Sequence, residues 1–249
     1  MKHDWITPDW PAPGNVKAFI TTRSGGVSRG PRASLNLGYK AGDDHAAVAQ
    51  NRTIVGALMP QSPRWLAQVH GHRVVDADTL SGSPDNPTEA DASVARQCGT
   101  VCAIMIADCL PVLFCNRSGT RVAAAHAGWR GLSGGVLANT VKAMCEAGDK
   151  PEELLAYIGP GIGPTAFEVG ADVYQAFTAN DTDARAAFAS CAPGKWLADL
   201  FMLARLALTR AGVMQLYGGG LCTHTDHQRF FSYRRDKLCG RMAAFIWRQ

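Results

Sequence analysis

The stretch VCAIMIADCLPVLFC, residues 101–115, is the longest apolar run of the chain and decides the class of fold. Its first six residues are all apolar, which is typical of a β-strand covered on both faces. Asp108 and Pro111 interrupt the run, and it is shorter than the roughly 20 residues that a membrane-spanning helix needs. The stretch therefore predicts a strand inside a layered α/β or α+β domain.

Further strands and helices are predicted on both sides of this stretch. Apolar or β-branched runs predict strands at residues 16–22, 65–69, 92–95, 121–125, 154–158, 230–233 and 242–247. Helical periodicity and end signals predict helices from residues 43–44 to 59, over residues 135–147 and over residues 197–210. The polar segment 81–89 is interpreted as a surface loop, and no linker divides the 249 residues. We therefore expect a single domain spanning residues 1–249.

The charge and the cysteine content narrow the classes of function. The net charge of +4 and the pI of about 8.7 suit a modest basic patch for an anionic ligand, whereas nucleic-acid binding normally requires a pI above about 9. Eight cysteines in 249 residues are too sparse for a disulfide scaffold, and the charged N-terminus lacks the apolar core of a signal peptide. We expect a cytoplasmic protein with reduced thiols and with neither nucleic acid nor membrane as a partner.

Three histidine or cysteine side chains lie at or just after the ends of apolar strands, each followed closely by glycine or proline. They are His70 in QVHGH, Cys109 in ADCLPV and His126 in AAAHAGWRG. Two imidazoles and a thiolate form a ligand set for Zn²⁺ or a copper ion, with the fourth position left for water or substrate. The separations of 39 and 17 residues follow no local metal-binding motif, so only the shared placement supports a site.

The same residues also allow covalent catalysis. Cys109 would then be the nucleophile and His70 or His126 its base. Asp108 could orient a histidine, although a neighbouring strand position would point it to the opposite face. The segment GWRGLSGG, residues 128–135, opens a predicted helix, and Arg130 together with free backbone N–H groups there would suit a phosphate.

Two polar segments near the C-terminus are further candidates. His224 and His227 beside Cys222 could ligate a metal, but the segment is more typical of a solvated loop. The run RFFSYRR, residues 229–235, fits either an anion-binding patch or an edge strand whose basic side chains face solvent.

Nine motifs together resemble the laccase-domain family, formerly described as multicopper polyphenol oxidases. Its bacterial members are called purine nucleoside phosphorylases, and some are called peptidoglycan editing factors. The motifs fall in the family's order over almost the whole chain: 22–28 (TRSGGVS), 34–38 (SLNLG), 68–71 (QVHG), 90–92 (ADA), 108–112 (DCLPV), 126–131 (HAGWRG), 158–164 (IGPGIGP), 167–170 (FEVG) and 229–235 (RFFSYRR). Phe167, where tyrosine is common, and the KLC sequence at 237–239 are departures that do not touch the three candidate ligands.

The resemblance implies an α/β/β/α sandwich with mixed β-sheets, a fold similar to that of toxins that are cysteine-type deamidases. It implies a metal, zinc or alternatively copper, held by His70, Cys109 and His126, where catalysis is also expected. It implies phosphorolysis of adenosine, inosine and methylthioadenosine to a free base and a sugar 1-phosphate, with adenosine deamination as a second activity.

The expected partners are therefore purine nucleosides and phosphate. We expect Arg23, Asn36 and Arg130 to contact the substrate, the phosphate or the leaving group, and the protein to be a monomer or a small homo-oligomer.

Three alternatives to this function stay open at the level of sequence. One is an amidase that edits nucleotide-linked muramyl precursors, and another is a non-catalytic, metal-stabilised partner protein. The third is copper-dependent polyphenol oxidation as a side activity. A multicopper oxidase needs many histidine ligands in paired His-x-His motifs, whereas this chain has seven histidines and a single such pair, His70 and His72.

Overall fold

The computed structural model of the chain describes residues 3–80, 87–146, 148–179 and 181–249. The β-strands in these ranges are β1 (Val16–Ile20), β2 (Val74–Asp76), β3 (Ala92–Ala95), β4 (Cys102–Ile106), β5 (Leu110–Asn116), β6 (Val122–Ala127), β7 (Leu154–Ile158), β8 (Glu168–Val169), β9 (Phe188–Ala192), β10 (Lys195–Ala198), β11 (Gln215–Gly218) and β12 (Met242–Arg248). The α-helices are α1 (His45–Gly56), α2 (Trp129–Ser133), α3 (Val136–Cys145), α4 (Ala171–Thr178), α5 (Leu200–Arg210) and α6 (Tyr233–Asp236).

Two sheets form the centre of the fold. The larger has six strands in the order β11-β7-β5-β6-β3-β2. It is mixed, because β11 pairs with β7 and β2 with β3 in parallel while the other neighbours are antiparallel. The smaller sheet, in the order β1-β12-β4, is antiparallel throughout, and β8, β10 and β9 form a third, peripheral antiparallel sheet.

Alternate side chains of the central strands face different layers, as the period of two in a strand requires. In β5, Leu110, Val112 and Phe114 pack against the cluster that contains the helices α3 and α5. The intervening Leu113 and Cys115 pack instead against the smaller sheet. The larger sheet is therefore covered on both faces, which explains why its central strands β5 and β6 are apolar or small except for Asn116 and His126 near their ends.

The opposite face of the smaller sheet is also covered. Ala243 and Phe245 of β12 pack there with Val55 of α1, whereas Ala244 and Ile246 face the larger sheet. The order of layers is helices, six-stranded sheet, three-stranded sheet, helix. This arrangement confirms the expected α/β/β/α sandwich with mixed sheets.

The apolar stretch 101–115 divides between the two sheets. Its first half is β4 in the smaller sheet, and its second half is β5 in the larger one. Residues 107–109 carry the chain across between them. Because Asp108 and Cys109 lie at this crossing, they lie where the two sheets meet at the edge of the core.

Two predicted strands are wrong, and one predicted helix begins later than expected. Residues 65–69 are not a strand. Ala67 makes an isolated bridge with Glu89, and Arg64, just before the segment, makes one with Cys102, so neighbouring residues pair with different segments and no ladder forms. Residues 230–233 are not a strand, since Ser232 caps the short helix α6. The helix predicted from residue 197 begins at Leu200, because Asp199 is its N-cap and the residues before it pair as β10.

Other predicted boundaries differ only at the ends. Asp44 caps α1 as expected, its side chain accepting from Ala46 N. The helix predicted over 135–147 is α3, and position 147 lies outside the described residues, as do residues 81–86 of the predicted surface loop. No helix in the described ranges is long and apolar enough to cross a membrane.

Candidate metal centre and its cavity

The structure brings His70, Cys109 and His126 together. Their ligand atoms all lie within 4.8 Å of one another, and the two imidazole rings are 4.8 Å apart between centroids. His126 is 4% exposed, Cys109 is half-buried and His70 is exposed, so the group is open on the His70 side. Among the described residues, this is the one group of three or more His, Cys, Asp or Glu side chains that could hold a metal.

Because side chains alternate between the two faces of a strand, His126 points into the space between the two central sheets. Along β6, Ala123, Ala125 and Ala127 face the helices, whereas Val122 and Ala124 face the smaller sheet. His126 has the parity of the second set and lies near the end of its strand. Its imidazole therefore leaves the core where Cys109 crosses between the sheets.

Asp91 orients both histidines, a role that the sequence interpretation missed. Its carboxylate is fully buried and accepts from His126 Nδ1 at 2.8 Å. It also accepts from the backbone N–H groups of Val69, His70 and Gly71. These bonds fix the backbone at His70, whose φ is +61°. The available signal was an aspartate between two alanines at the start of an apolar strand, where a charge needs partners.

The Asp91 bond also fixes the tautomer of His126. A carboxylate only accepts hydrogen bonds, so Nδ1 of His126 carries a proton and Nε2 is turned toward Cys109. An imidazole oriented by a carboxylate in this way is the usual arrangement of a metal-binding histidine.

Asp108 does not perform the orienting role considered for it. Its carboxylate accepts from Thr223 Oγ1 at 2.7 Å and from the backbone N–H of Arg234 at 2.6 Å. Its φ is +91°, so the turn that crosses between the sheets is held in an unusual conformation by these bonds. Asp108 stabilises the segment that presents Cys109.

The electrostatic environment favours an ionised thiol at Cys109. Burial raises its pKa, but the neighbouring His126 and His70 lower it by more, to about 6. Burial conversely lowers the pKa of His126, and the Cys109 thiolate and Asp91 raise it to about 9. By contrast, burial raises the pKa of Cys102 and of Cys115 to about 12. The reactive thiol is thus distinguished from the core thiols by its histidines.

Gly128 makes room for the three side chains. A Cβ atom at this position would lie 2.7 Å from Cys109 Sγ and 3.1 Å from Cδ2 of His70. Any side chain there would displace one of them. The glycine after His126 is therefore required by close approach and not by backbone conformation.

The donor chemistry of the group fits a metal ion. Two neutral imidazole nitrogens and one thiolate are ligands that zinc and copper prefer, and three protein ligands leave a position for another group. The buried Asp91 bonded to His126 supplies the outer partner that such sites require. The residues present therefore fit a metal of this kind, whose identity the donor set does not distinguish.

A cavity of about 1340 Å³ opens on the group. Its lining includes six cationic side chains, namely Lys40, Arg52, Arg130, Arg234, Lys237 and Arg241. Within the described ranges, none of these six forms an ion pair with a carboxylate. Among the described residues of the lining, the single acidic one is Asp108, whose oxygens are already bonded. The cavity thus suits an anionic ligand.

Of the three expected substrate contacts, the structure brings only Arg130 to the cavity. Arg23 donates from Nε to Ala33 O and from Nη1 to His227 O, which takes its guanidinium away from the lining. Asn36 is fully buried and accepts from the backbone N–H groups of Gly38 and Arg241. Asn36 therefore supports two residues of the lining without facing the cavity.

Of the basic run at residues 229–235, some side chains line the cavity and others bind elsewhere in the protein. Arg234 and Tyr233 line the cavity, but Arg235 donates to the carbonyl oxygens of Thr223 and His224. Arg229 pairs with acidic residues outside the cavity. The basic run at 229–235 is therefore partly structural.

The fold and the site define an α+β sandwich with a basic cavity and a candidate metal centre at the junction of its two central sheets. The family model described as multi-copper polyphenol oxidoreductase laccase matches residues 17–249, and the chain belongs to this family.

Its relatives include curated proteins and solved structures. The purine nucleoside phosphorylase PA4543 of Pseudomonas aeruginosa is 53% identical over 246 residues, covering 98% of each chain. The purine nucleoside phosphorylase YfiH of Escherichia coli is 53% identical over 244 residues, covering 97% of this chain and 98% of the relative. The crystal structure of Neisseria meningitidis protein NMB0706 is similar with a TM-score of 0.94 at 52% identity, covering 99% of each chain.

Proposed function

We propose that this protein is a purine nucleoside phosphorylase. In the reaction, orthophosphate adds to the anomeric carbon of the nucleoside, the bond to the base nitrogen breaks, and a proton goes to the departing base. The products are the free base and a sugar 1-phosphate. We further propose adenosine, inosine and methylthioadenosine as substrates. The names of relatives at 53% identity support the class of activity, purine nucleoside phosphorolysis, and the three substrates are those that the family resemblance implies.

The observation that carries the proposal is the combination of two features in one cavity. The His70, Cys109 and His126 group lies in its lining, together with six cations that have no carboxylate partner in the described part of the chain. Unpaired cations in a partly enclosed site attract a phosphate more strongly than they would in open water. A cavity for a neutral nucleoside alone would not need them.

The residues of the chain would act by positioning and by charge. Arg130, with its guanidinium over the Trp129 ring at 4.3 Å, is proposed to contact the phosphate from the side of the candidate metal centre. Asn36 is proposed to act indirectly, by holding Gly38 and Arg241 in the lining. Arg23 is proposed to position the loop whose carbonyl groups it binds. Alignment and charge stabilisation supply most of the rate in phosphate chemistry of this kind.

His70, Cys109 and His126 would hold a metal ion, which we propose to be zinc. When bound, zinc supplies a Lewis acid at the wall of the cavity. Asp91 keeps Nδ1 of His126 protonated and so leaves Nε2 available toward the ion. The same ligand set supports our proposal of adenosine deamination as a second activity, since zinc deaminases use histidine and cysteine ligands.

Product analysis tests the proposal. The purified protein is incubated with adenosine, inosine or methylthioadenosine, with and without orthophosphate, and the products are separated chromatographically. We expect base release that requires phosphate and yields an equal amount of sugar 1-phosphate, and we expect inosine and ammonia from adenosine without phosphate.

The alternatives give different products in the same design. Base release independent of phosphate, or no base release from any of the nucleosides, would contradict phosphorolysis. Amino-acid release from a nucleotide-linked muramyl peptide would instead support the editing amidase, and oxygen-dependent oxidation of a phenol would support the laccase-like activity. The Cys109→Ala variant serves as the inactive control in every arm.

A further inference from the structure

One wall of the cavity is formed by helix α1, whose Arg52 entered the proposal above only as one of the six cations. His45, Ala46, Ala49 and Arg52 all line the cavity and recur at helical spacing, so they share one face of the helix. The two alanines are small and leave space in front of the arginine. The wall therefore presents one long cationic side chain to an otherwise open surface.

The guanidinium of Arg52 is held rigidly. Its central carbon lies 4.0 Å from the Trp65 ring centroid and 4.4 Å from that of Tyr39, and both aromatic residues line the cavity. Its Nε donates to Leu37 O at 2.9 Å. Two aromatic contacts and one hydrogen bond fix the plane of the group, so binding a ligand would order little that is not already ordered.

The remaining donors of Arg52 are unmatched. Neither Nη1 nor Nη2 has an acceptor among the described residues, and Nη1 is also shut off from solvent. Burial lowers the pKa of Arg52 to about 10, so the group is still charged at neutral pH. A buried charge with unmatched donors is costly unless an anion supplies the acceptors.

The other five cations of the cavity do not share this state. Arg234 donates from Nη1 to Glu168 O, and Arg241 donates from Nη1 to the carbonyl groups of Cys239 and Gly240. The remaining three, on the rim, are exposed to water: Lys40, Arg130 and Lys237. Arg52 alone in this lining combines a fixed guanidinium with a solvent-inaccessible nitrogen that lacks an acceptor.

The Arg52 wall and the candidate metal centre belong to one continuous site. Trp65, which stacks on Arg52, is five residues before His70, and residues 65–68 and 70 all line the cavity. Five residues span at most about 18 Å when fully extended. Both ends therefore open into the same cavity.

We propose that Arg52 is a phosphate-binding residue of this cavity, with Nη2 donating to an oxygen of a phosphoryl group. Because Nε is occupied by Leu37 and Nη1 is shut off from solvent, Nη2 is the donor that remains for a ligand. The phosphoryl group belongs either to free orthophosphate, in which case the inference rests on the proposed phosphorolysis, or to the 5′-phosphate of a nucleotide.

Calorimetric titration of the purified protein, with its metal content determined, tests the proposal. One arm uses inorganic phosphate without nucleoside, and a second compares adenosine 5′-monophosphate with adenosine. We expect Arg52→Met and Arg52→Lys each to weaken phosphate binding by at least about tenfold, because lysine keeps the charge but lacks the planar group that the two rings and Leu37 O hold in place. Lys237→Met removes one positive charge from the same lining and is expected to weaken binding by less than about threefold. Thermal unfolding confirms that each variant is folded.

The outcomes distinguish the two sources of the phosphoryl group, orthophosphate and a nucleotide 5′-phosphate, and show whether Arg52 binds either. Loss confined to the orthophosphate arm identifies the co-substrate site, and loss confined to the monophosphate arm identifies a nucleotide phosphate. Unchanged affinity in both Arg52 variants, equal weakening by Lys237→Met, wild-type affinity in Arg52→Lys, or no binding of either ligand by the wild type would each overturn the assignment.

The titration contains no turnover, so its failure is distinguishable from failure of the proposed function. If the protein binds phosphate through Arg52 but catalyses no phosphorolysis, the role of Arg52 is supported and the proposed phosphorylase activity is contradicted. Phosphorolysis with phosphate binding independent of Arg52 would do the reverse.

Discussion

Cys109 concentrates the chemistry of this site at the scale of the residue. Its position at the crossing between the two sheets places a thiol of lowered pKa, about 6, between two imidazoles. Such a thiol fits a metal ligand and also a nucleophile. Substitution and chemical labelling distinguish the two roles.

The first prediction concerns the substitution of Cys109. Cys109→Ala should abolish turnover and metal retention while the fold survives, with a loss of about 1–2 kcal/mol in the free energy of unfolding relative to the metal-free wild-type protein, because one sulfur atom leaves a large core. Cys109→Ser should also weaken metal binding sharply, since a neutral hydroxyl is a poor ligand for a borderline-soft ion. Metal analysis after dialysis and denaturant unfolding measure both effects.

Cys115→Ala is the matched control for Cys109→Ala. Cys115 is fully buried in β5 and lies in the core between the sheets. Its substitution should reduce stability without changing metal content. A Cys109→Ala protein that retains a full equivalent of metal would contradict the ligand assignment.

The second prediction is that metal protects Cys109 from alkylation. At neutral pH the thiol is largely ionised, because its pKa is about 6, so the metal-free protein should be labelled quickly at this position. The metal-loaded protein should be labelled slowly, while Cys102 and Cys115, whose pKa values burial raises to about 12, stay unlabelled in both. Peptide mass mapping gives the rates, and equal rates at Cys109 with and without chelator would move the mechanism to covalent catalysis.

The third prediction concerns Asp91. In the wild type, both oxygens of the Asp91 carboxylate accept hydrogen bonds, from His126 and from the backbone N–H groups of His70 and Gly71. In Asp91→Asn a single neutral oxygen remains to accept them. We expect about a 10–100-fold loss of metal affinity, the usual effect of removing an outer partner of a ligand. Asp78→Asn is the control, because Asp78 also accepts from backbone N–H groups, at Arg96 and Gln97, but orients no histidine. Equal metal affinity in the two variants would refute the orienting role.

At the scale of the element, the junction between β6 and α2 determines whether the site can assemble. Gly128 separates the strand that carries His126 from the helix that carries Arg130. Because Gly128 lies so close to Cys109, a larger side chain at this position is excluded by the candidate metal centre and not by the helix or the strand. A substitution there should affect the site more than the fold.

The fourth prediction is that Gly128→Ala disrupts the site selectively. The added methyl group would lie 2.7 Å from Cys109 Sγ, so the thiol has to shift. We expect at least about a tenfold loss of metal affinity with near-normal helix content by circular dichroism. Gly56→Ala is the control, since no atom lies within 4 Å of a Cβ at the end of α1, and it should leave metal affinity unchanged. Wild-type metal affinity in Gly128→Ala would contradict this packing argument.

At the scale of the whole molecule, the candidate metal centre joins the two sheets and the segment before β2. His126 belongs to the larger sheet, Cys109 to the crossing from the smaller one, and His70 to a segment held by Asp91. An ion bound to all three would link these parts in the folded state and not in the unfolded one. Metal binding should therefore stabilise the molecule as a whole.

The fifth prediction is that chelation lowers the melting temperature. At a metal concentration about 100 times its Kd, binding contributes about 2.7 kcal/mol, which corresponds to about 5–10 °C for a chain of this size. Calorimetry with and without a chelator measures the shift, and adding zinc back should reverse it. The Cys109→Ala protein should show no shift, and a shift of equal size there would place the stabilising ion elsewhere.

The sequence by itself determined the family, the sandwich architecture and the types of reactive residue. Apolar runs such as 101–106 showed strands covered on both faces, because local pattern records which side of a strand is buried. The Asp44 cap was predictable for the same local reason. Segments whose structure depends on distant partners were not predictable, as at residues 64–69, where Arg64 and Ala67 bridge to two different segments.

Only the tertiary structure decided which residues meet. His70, Cys109 and His126 are separated by 39 and 17 residues, and the packing of the sheets and their connecting segments brings their ligand atoms within 4.8 Å of one another. The same packing gave the orienting role to Asp91 instead of Asp108, turned Arg23 and Asn36 away from the cavity, and set Arg52 in its wall. The type of a residue determines which chemistry its side chain can perform. Which residues surround it depends on strand order and on the packing of the layers, and no local sequence pattern encodes these.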